Sequence, residues 1–427
     1  MKFSRIAVLL ISSLLFAPRP CAAQALVTVV KAGRFIDVEA GKVRNNVVIV
    51  IRGTNIEAVG ENLPVPAGAK IIDVSRMTVL PGLTDCHTHL IGNAADLDPL
   101  SELRKTAAQS AFESIPNARK TLEAGFTTVR DVGTYRALVD VALRDAINRG
   151  DVIGPRMYVA GAYITITGGA GAVTGFAPDV TLPWDLRYGQ ADSPWQVRQR
   201  VRELANQGVD LIKVLATGAV LTHGSNPGAE EFTPEELQAA VDEARKFGLR
   251  VAAHAHGAQG IKNAIRAGVA SIEHGTLLDD EGIALMKTHG TYLVADIYDE
   301  ECIQGSGRPQ DFLQHDAGLA EAQRQNFRKA VQAGVKVAYG TDAGVCPHGQ
   351  NAKQFAYMVR YGLTPMQAIQ SATIWAADLL GKKDALGSIS PGKRADMIAV
   401  DADPLADIRA LEQVKFVMKD GQIFKKP

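Results

Sequence analysis

Two histidines, His87 and His89, stand one residue apart at the end of the apolar run from Met77 to Thr84, directly after Asp85 and Cys86. In an extended chain residues i and i+2 project to the same side, so both imidazoles can converge on one divalent cation through neutral ring nitrogens. The same spacing returns at His254 and His256, after Val251-Ala252-Ala253. Only one of that second pair need bind metal, and His254 is preferred because it lies nearer the interior of its strand. A further imidazole, His274, follows Ser271-Ile272-Glu273, and Tyr339-Gly340-Thr341-Asp342 ends an apolar run with a carboxylate. Asp342 is suited both to hold a cation and to accept the proton of an attacking water. Taken singly, an Asp before Ala-Gly is an ordinary turn residue and a His before Gly an ordinary helix-start neighbour. Their shared placement at strand ends makes them a constellation.

Gly208-Val209-Asp210-Leu211-Ile212-Lys213-Val214-Leu215 sets a lysine inside an otherwise apolar strand. A buried ammonium needs a partner or a change of chemistry. Two readings stay open: a buried Lys–Asp pair, or a neutral amine that takes up carbon dioxide as a carbamate, an anionic ligand able to bridge two cations. Tyr163 at a third strand end, with His223 and His256, are candidates for binding the carbonyl oxygen or a free carboxylate of the substrate. The Gly-rich stretch from Ile164 to Trp184 fits a mobile lid. It lacks the Lys and Ser/Thr of a phosphate-binding loop and the spacing of a dinucleotide fingerprint.

The elements that must position these groups alternate. From 81 to 387, apolar runs ending near His89, Asp131, Tyr163, Lys213, His254, His274, Ala295 and Thr341 are separated by helical patterns, such as Thr233-Pro234-Glu235-Glu236 with its cap and first-turn proline. Eight strand-helix units predict an α/β fold, a (β/α)8 TIM-like barrel whose chemistry gathers at the C-terminal strand ends. Residues 24–80 and 388–427 read instead as short alternating strands, so the two ends of the chain are expected to meet in one small β-sandwich domain.

The 427 residues are 46% hydrophobic and balance 46 basic against 46 acidic side chains. Without net charge or a basic stretch there is no footprint for nucleic acid, and the expected partner is a small molecule. Residues 1–23, a short basic segment, an apolar run and Ala22-Ala23, read as an export signal, which places the mature chain in the periplasm or outside the cell. No later run is long enough for stable membrane insertion. Removing the signal leaves Cys86, Cys302 and Cys346, an odd and sparse set from which no disulfide framework is expected.

From residue 26 to the end the chain resembles the amidohydrolase superfamily. The resemblance is carried by Pro81-Gly82-Leu83-Thr84-Asp85-Cys86-His87-Thr88-His89, Lys213, His254, His274, Gly340-Thr341-Asp342 and the late segments Gly387-Ser388-Ile389 and Pro391-Gly392-Lys393-Arg394-Ala395-Asp396. It implies a (β/α)8 barrel with a β-sandwich built from both termini, and two divalent metals, commonly zinc. One would sit on His87, His89 and Asp342, the other on His254 and His274, with Lys213 as a bridging N6-carboxylysine. Ala216-Thr217-Gly218 and the segment from Ala160 to Gly169 look most like the branch of Xaa-Pro dipeptidases and ochratoxin-degrading amidases. That likeness implies hydrolysis of dipeptides or N-acyl amino acids by a homo-oligomer. Many members of the branch carry a histidine after Gly169, where this chain has Ala170-Gly171-Ala172, a departure that bears on leaving-group specificity and enlarges the pocket. Competing expectations are cyclic-amide or imidazolone hydrolysis or deamination on the same metals, and an inactive exported binding protein, which would require a missing ligand.

Overall fold

The structure, a computed structural model, describes residues 27–92, 100–177, 179–222, 224–305, 307 and 310–427. The expected export signal, residues 1–23, and His223 lie outside the described residues.

Four strands open the chain: β1 (Val27–Asp37), β2 (Lys42–Arg52), β3 (Asn55–Glu61) and β4 (Lys70–Pro81). Their Val- and Ile-rich stretches suit a pleated, half-buried surface. The run from Met77 to Thr84 does not form one strand: it is divided at Gly82, and β5 (Leu83–Thr88) begins a different sheet. Glycine is required at the division, because a Cβ there would lie 2.2 Å from Thr127 Oγ1. After β5 come β6 (Phe126–Asp131), β7 (Arg156–Val159), β8 (Tyr163–Ile164), β9 (Leu211–Leu215), β10 (Arg250–Ala255), β11 (Ser271–His274) and β12 (Tyr292–Val294). The C-terminus returns as β13 (Met397–Val400), β14 (Phe416–Lys419) and β15 (Gln422–Lys425).

Strands from the two ends of the chain share a seven-stranded sheet of order β15-β14-β13-β4-β1-β2-β3. Between them lie two parallel sheets, β5-β6-β7 and β12-β11-β10-β9-β8, separated in sequence by helices. The molecule is therefore α/β. The sequence places a strand ending at Thr341, but the segment forms only isolated bridges, Leu293↔Val337 and Thr88↔Ala343. It nevertheless runs between the two parallel sheets: Ala338 N donates to Leu293 O at 3.0 Å, and Cys86 N donates to Tyr339 O at 2.7 Å.

Period-two alternation sorts the side chains of the parallel strands. Ile212 and Val214 of β9 join the large core shared with the helices, among them Leu237, Val241, Ile261 and Ile265. Leu211 and Ala252 instead meet Val132 and Ala160 in a separate cluster. Lys213 and His254, each two residues further along, continue that second row. The helix Pro234–Lys246 starts as its sequence demands, with a capping box in which Glu236 N donates to Thr233 Oγ1 (3.3 Å) and Thr233 N to Glu236 Oε2 (2.9 Å).

One expectation is overturned. Cys302 and Cys346 form a disulfide, leaving Cys86 as the buried free thiol among the described residues. The two half-cystines are 44 residues apart in sequence but their Cα atoms are 5.3 Å apart. Nothing in an odd count of three reveals such a pairing; it depends on the close approach of the stretches after β12 and after Asp342. No helix among the described residues is long and apolar enough to cross a membrane.

Candidate active site

His87 and His89 leave the end of β5 on one side, as their spacing requires, and meet Asp342 because the segment bearing it lies alongside: His89 N donates to Ala343 O at 2.7 Å. Gly340 makes the approach possible, since a Cβ there would stand 2.3 Å from Val294 Cγ1 and 2.9 Å from His87 Cβ. Asp342 Oδ1 lies 3.4 Å from His87 Nε2 and 3.2 Å from His89 Nε2, yet among the described residues this buried oxygen makes no hydrogen bond. Both Nδ1 atoms are engaged elsewhere, His87 with Glu273 Oε2 (3.0 Å) and His89 with Gly133 O (2.8 Å). Two free imidazole nitrogens and a buried carboxylate oxygen without a partner fit a divalent cation. His87, His89 and Asp342 indeed offer ligand atoms that all lie within 4.8 Å of one another.

His254, His256 and His274 form a second such group within the same limit. Their ring centroids are 4.5–4.7 Å apart. His254 Nε2 lies 3.1 Å from Gly218 O and His256 Nδ1 2.7 Å from Thr276 Oγ1, which leaves one nitrogen of each ring. His274 Nδ1 is 2.8 Å from Asp296 Oδ2, and Asp296 joins His274 and Asp342 in a third possible ligand set. His274 and Asp342 both have left-handed backbones, φ 67° and 51°. That region is strained for side chains of this size and, where the surroundings enforce it, clusters at functional sites. At His274 the turn has a clear purpose. Glu273 and His274 would face opposite sides of an extended strand, but here both face inward.

Lys213 is 1% exposed, and among the described residues no carboxylate lies within ion-pair distance of its ammonium. A Lys–Asp pair is therefore absent there. Burial pushes this lysine down to about 8, against the pull of Glu273 and Asp342. Burial, with Lys213 nearby, also lowers His87 to about 4, and burial with His274 lowers His256 to about 3. His254 is held well below its ordinary value by burial and by His274. These imidazoles are consequently neutral at neutral pH, the form that ligates metal. Asp342 moves the other way: burial alone would raise it, but His87 and His89 outweigh burial and hold it below the usual carboxylate range.

Several supporting residues were missed in the sequence. Asp85 staples the two strand ends, accepting from His87 N (3.1 Å), Thr341 Oγ1 (2.6 Å) and Asn351 Nδ2 (2.8 Å). Arg130 bonds both oxygens of Glu273 at 2.8 Å, and Gln323 Nε2 donates to Asp296 Oδ1 at 2.9 Å. Arg130 and Glu273 carried the same signal that exposed Lys213, an ionisable residue inside an apolar strand. Asp296 and Gln323 carried none.

His87, His89, Tyr163, Lys213, His254, His256, His274 and Asp342 all line one cavity of about 390 Å³. Its walls add Leu215, Val220, Ile303, Phe312, Leu319 and Val345. Tyr163 Oη lies 3.2 Å from His89 Nδ1, and burial raises this phenol well above its ordinary value, so it remains protonated. The Gly-rich stretch also lines the cavity and is tied down: Ala170 N donates to Glu231 at 2.8 and 3.0 Å, and Thr222 Oγ1 donates to Ala170 O at 2.8 Å.

An α/β framework that brings two histidine groups, a lysine and an aspartate to one end of its parallel strands defines the class: the chain belongs to the amidohydrolase family, whose model matches residues 78–424. It is a hydrolase acting on amide bonds, in a family that generally uses divalent metal ions. Ochratoxinase of Aspergillus niger is 33% identical over 430 residues, covering 95% of this chain and 88% of that protein. A solved Xaa-Pro dipeptidase with methionine bound in its active site has a TM-score of 0.88 and 40% identity, covering 93% of this chain and 100% of that one. A prolidase complexed with N-methylphosphonate-L-proline has a TM-score of 0.86 and 29% identity, covering 94% and 100%.

Proposed function

We propose that this chain is a binuclear metal-dependent amidohydrolase that releases a free amino acid from Xaa-Pro or related dipeptides, or from N-acyl amino acids including ochratoxin-like amides. The observation that carries the reading is the unbonded Asp342 Oδ1 facing the free nitrogens of His87 and His89, beside the ring cluster of His254, His256 and His274. In this reading the two parallel sheets and the segment through Thr341 make up a (β/α)8 barrel, and the terminal sheet forms the second domain.

His87, His89 and Asp342 would hold one ion, His254 and His274 the other, and Lys213, carboxylated, would bridge them. Divalent ions there, most simply zinc, would polarise the scissile carbonyl and make water acidic enough to attack at neutral pH. Asp342 keeps a carboxylate oxygen ready to take the proton of the attacking water and to pass it to the departing nitrogen. Tyr163 can direct its hydroxyl to the carbonyl oxygen, His256 can meet the substrate's polar end, and the apolar walls shed water around the bond being cut. That no carboxylate among the described residues pairs with the lysine supports the bridging role, and its downward shift supports a reactive free amine.

Export is supported by residues 1–23 and by the Cys302–Cys346 disulfide, a bond that persists in oxidising compartments. A homo-oligomeric state rests on the family likeness alone. The test is a product assay on metal-analysed protein with dipeptides ending in Pro, Phe, Arg or Leu and with N-aroyl amino acids. Release of a free amino acid is expected, with two equivalents of divalent ion bound. Ammonia release or ring opening of cyclic amides alone would overturn the reading.

A further inference from the structure

We infer that Glu273, clamped by Arg130, is the positioning residue for His87: it takes the Nδ1 proton of that imidazole and so fixes Nε2 as the nitrogen presented to the cavity. The inference rests on the metal reading above and concerns how one ligand is prepared for it.

Glu273 is wholly buried, and three donors make four contacts to its two oxygens. Oε1 accepts from Arg130 and from Ser271 Oγ; Oε2 accepts from Arg130 and faces His87 Nδ1 at 3.0 Å. The Arg130 guanidinium, always charged, holds both oxygens of this carboxyl at 2.8 Å, so Oε2 can only accept. With that acceptor 3.0 Å away, the imidazole of His87 must carry a hydrogen on Nδ1. The lone pair is then on Nε2, the nitrogen 3.4 Å from Asp342 Oδ1. Arg130 is also fastened, through NH1 to Ser271 Oγ at 2.9 Å and through Nε to Cys86 O at 2.5 Å. The clamp thus ties β5, β6 and β11 together beneath the site.

A purely structural ion pair offers a weaker account. Buried pairs are often replaceable by apolar residues without loss, so their presence is poor evidence of stabilisation. It also leaves unexplained why β11 ends in a strained His274, the conformation that lets Glu273 serve one imidazole group from below while its neighbour in sequence joins the other group. A carboxylate behind a metal-ligating histidine orients the ring and raises its basicity.

The test is competition of metal-stripped protein against a chromophoric zinc chelator, with circular dichroism confirming the fold. Glu273→Gln should weaken one of the two zinc affinities by about 10- to 100-fold and leave the other unchanged. Equal affinities in a folded variant would overturn the inference. Should Glu273→Gln fail to fold, the wild-type protein decides: in ¹⁵N-histidine spectra, with His87 assigned through His87→Asn, the hydrogen is expected on Nδ1, and finding it on Nε2 overturns the inference. If wild-type protein binds no divalent ion, the metal reading fails, and the tautomer measurement still judges Glu273 separately.

Discussion

The terminal sheet and the strand ends around the cavity bury their side chains in opposite ways. Between β1, β2, β4, β13 and β14 the interior consists of residues such as Val30, Phe35, Ile49, Val79, Met397 and Phe416, all apolar. The parallel strands bury Asp85, His87, Arg130, Lys213, His254, Glu273 and His274. In the first region burial is itself the driving force. In the second each polar group loses hydration and is retained because something compensates it. Asp85, Arg130 and Glu273 have their partners inside the protein; Lys213 lacks a salt bridge and Asp342 Oδ1 lacks a hydrogen bond among the described residues. Incomplete satisfaction, more than polarity, sets Lys213 and Asp342 apart from Asp85, Arg130 and Glu273, which brace the strand ends.

The comparison breaks most sharply at Asp342. Asp342→Asn should lower turnover by roughly 10²- to 10⁴-fold, the usual worth of a general base, while thermal unfolding stays near wild type. Lys213→Ala should lose bound metal, with partial rescue by short carboxylic acids, as read by elemental analysis of desalted protein. Unchanged metal content there would count against a carbamate bridge. In the terminal sheet the pattern should invert. Phe416→Ala removes a fully buried ring and should cost about 3–5 kcal/mol in denaturant unfolding, yet leave metal content and the turnover of the folded fraction unchanged.

The same contrast explains what the sequence could disclose. Residues spaced by two, such as His87 and His89, share a face whatever else the fold does, so the first histidine pair was legible. Lys213 and the capped helix after Thr233 were legible because each breaks or obeys a local rule. The splitting of the run at Gly82 was not, since it depends on Thr127 across the sheet boundary. Asp296 was hidden because it follows β12 in an irregular stretch and acquires its role only from His274. The disulfide was hidden for a similar reason, being a contact between the short helix Glu300–Gly305 and an irregular stretch 44 residues further on.

That disulfide offers the next test, because it belongs to neither region. It joins the stretch containing Ile303 to the one containing Val345, and both of these side chains line the cavity. Cys302→Ala, or reduction by a dithiol, should lower stability by about 2–4 kcal/mol, the range for a cross-link of this kind. Because the loosened parts are walls and not ligands, KM should rise more than kcat falls. A fall in kcat with unchanged KM would instead mean that the bond positions Asp342.

The smallest expected effect sharpens the contrast from Glu231, whose partner Ala170 lines the cavity. Both oxygens of Glu231 accept from Ala170 N and, among the described residues, no cation pairs with it, so burial pushes its carboxyl up to about 7. Its folded value lies above its unfolded one. Between them the folded chain holds a proton that the unfolded chain has already released, so the stabilisation is complete below about 4.5 and is lost as the pH rises through 7. Gln in its place still offers an oxygen to Ala170 and cannot ionise. Glu231→Gln should therefore gain on wild type with rising pH, by about 1 kcal/mol or roughly 2 °C between pH 5 and 8 once solvent screening is allowed for. Calorimetry at the two pH values measures this directly. A gap that stays constant would mean that this carboxylate is as well satisfied as Asp85.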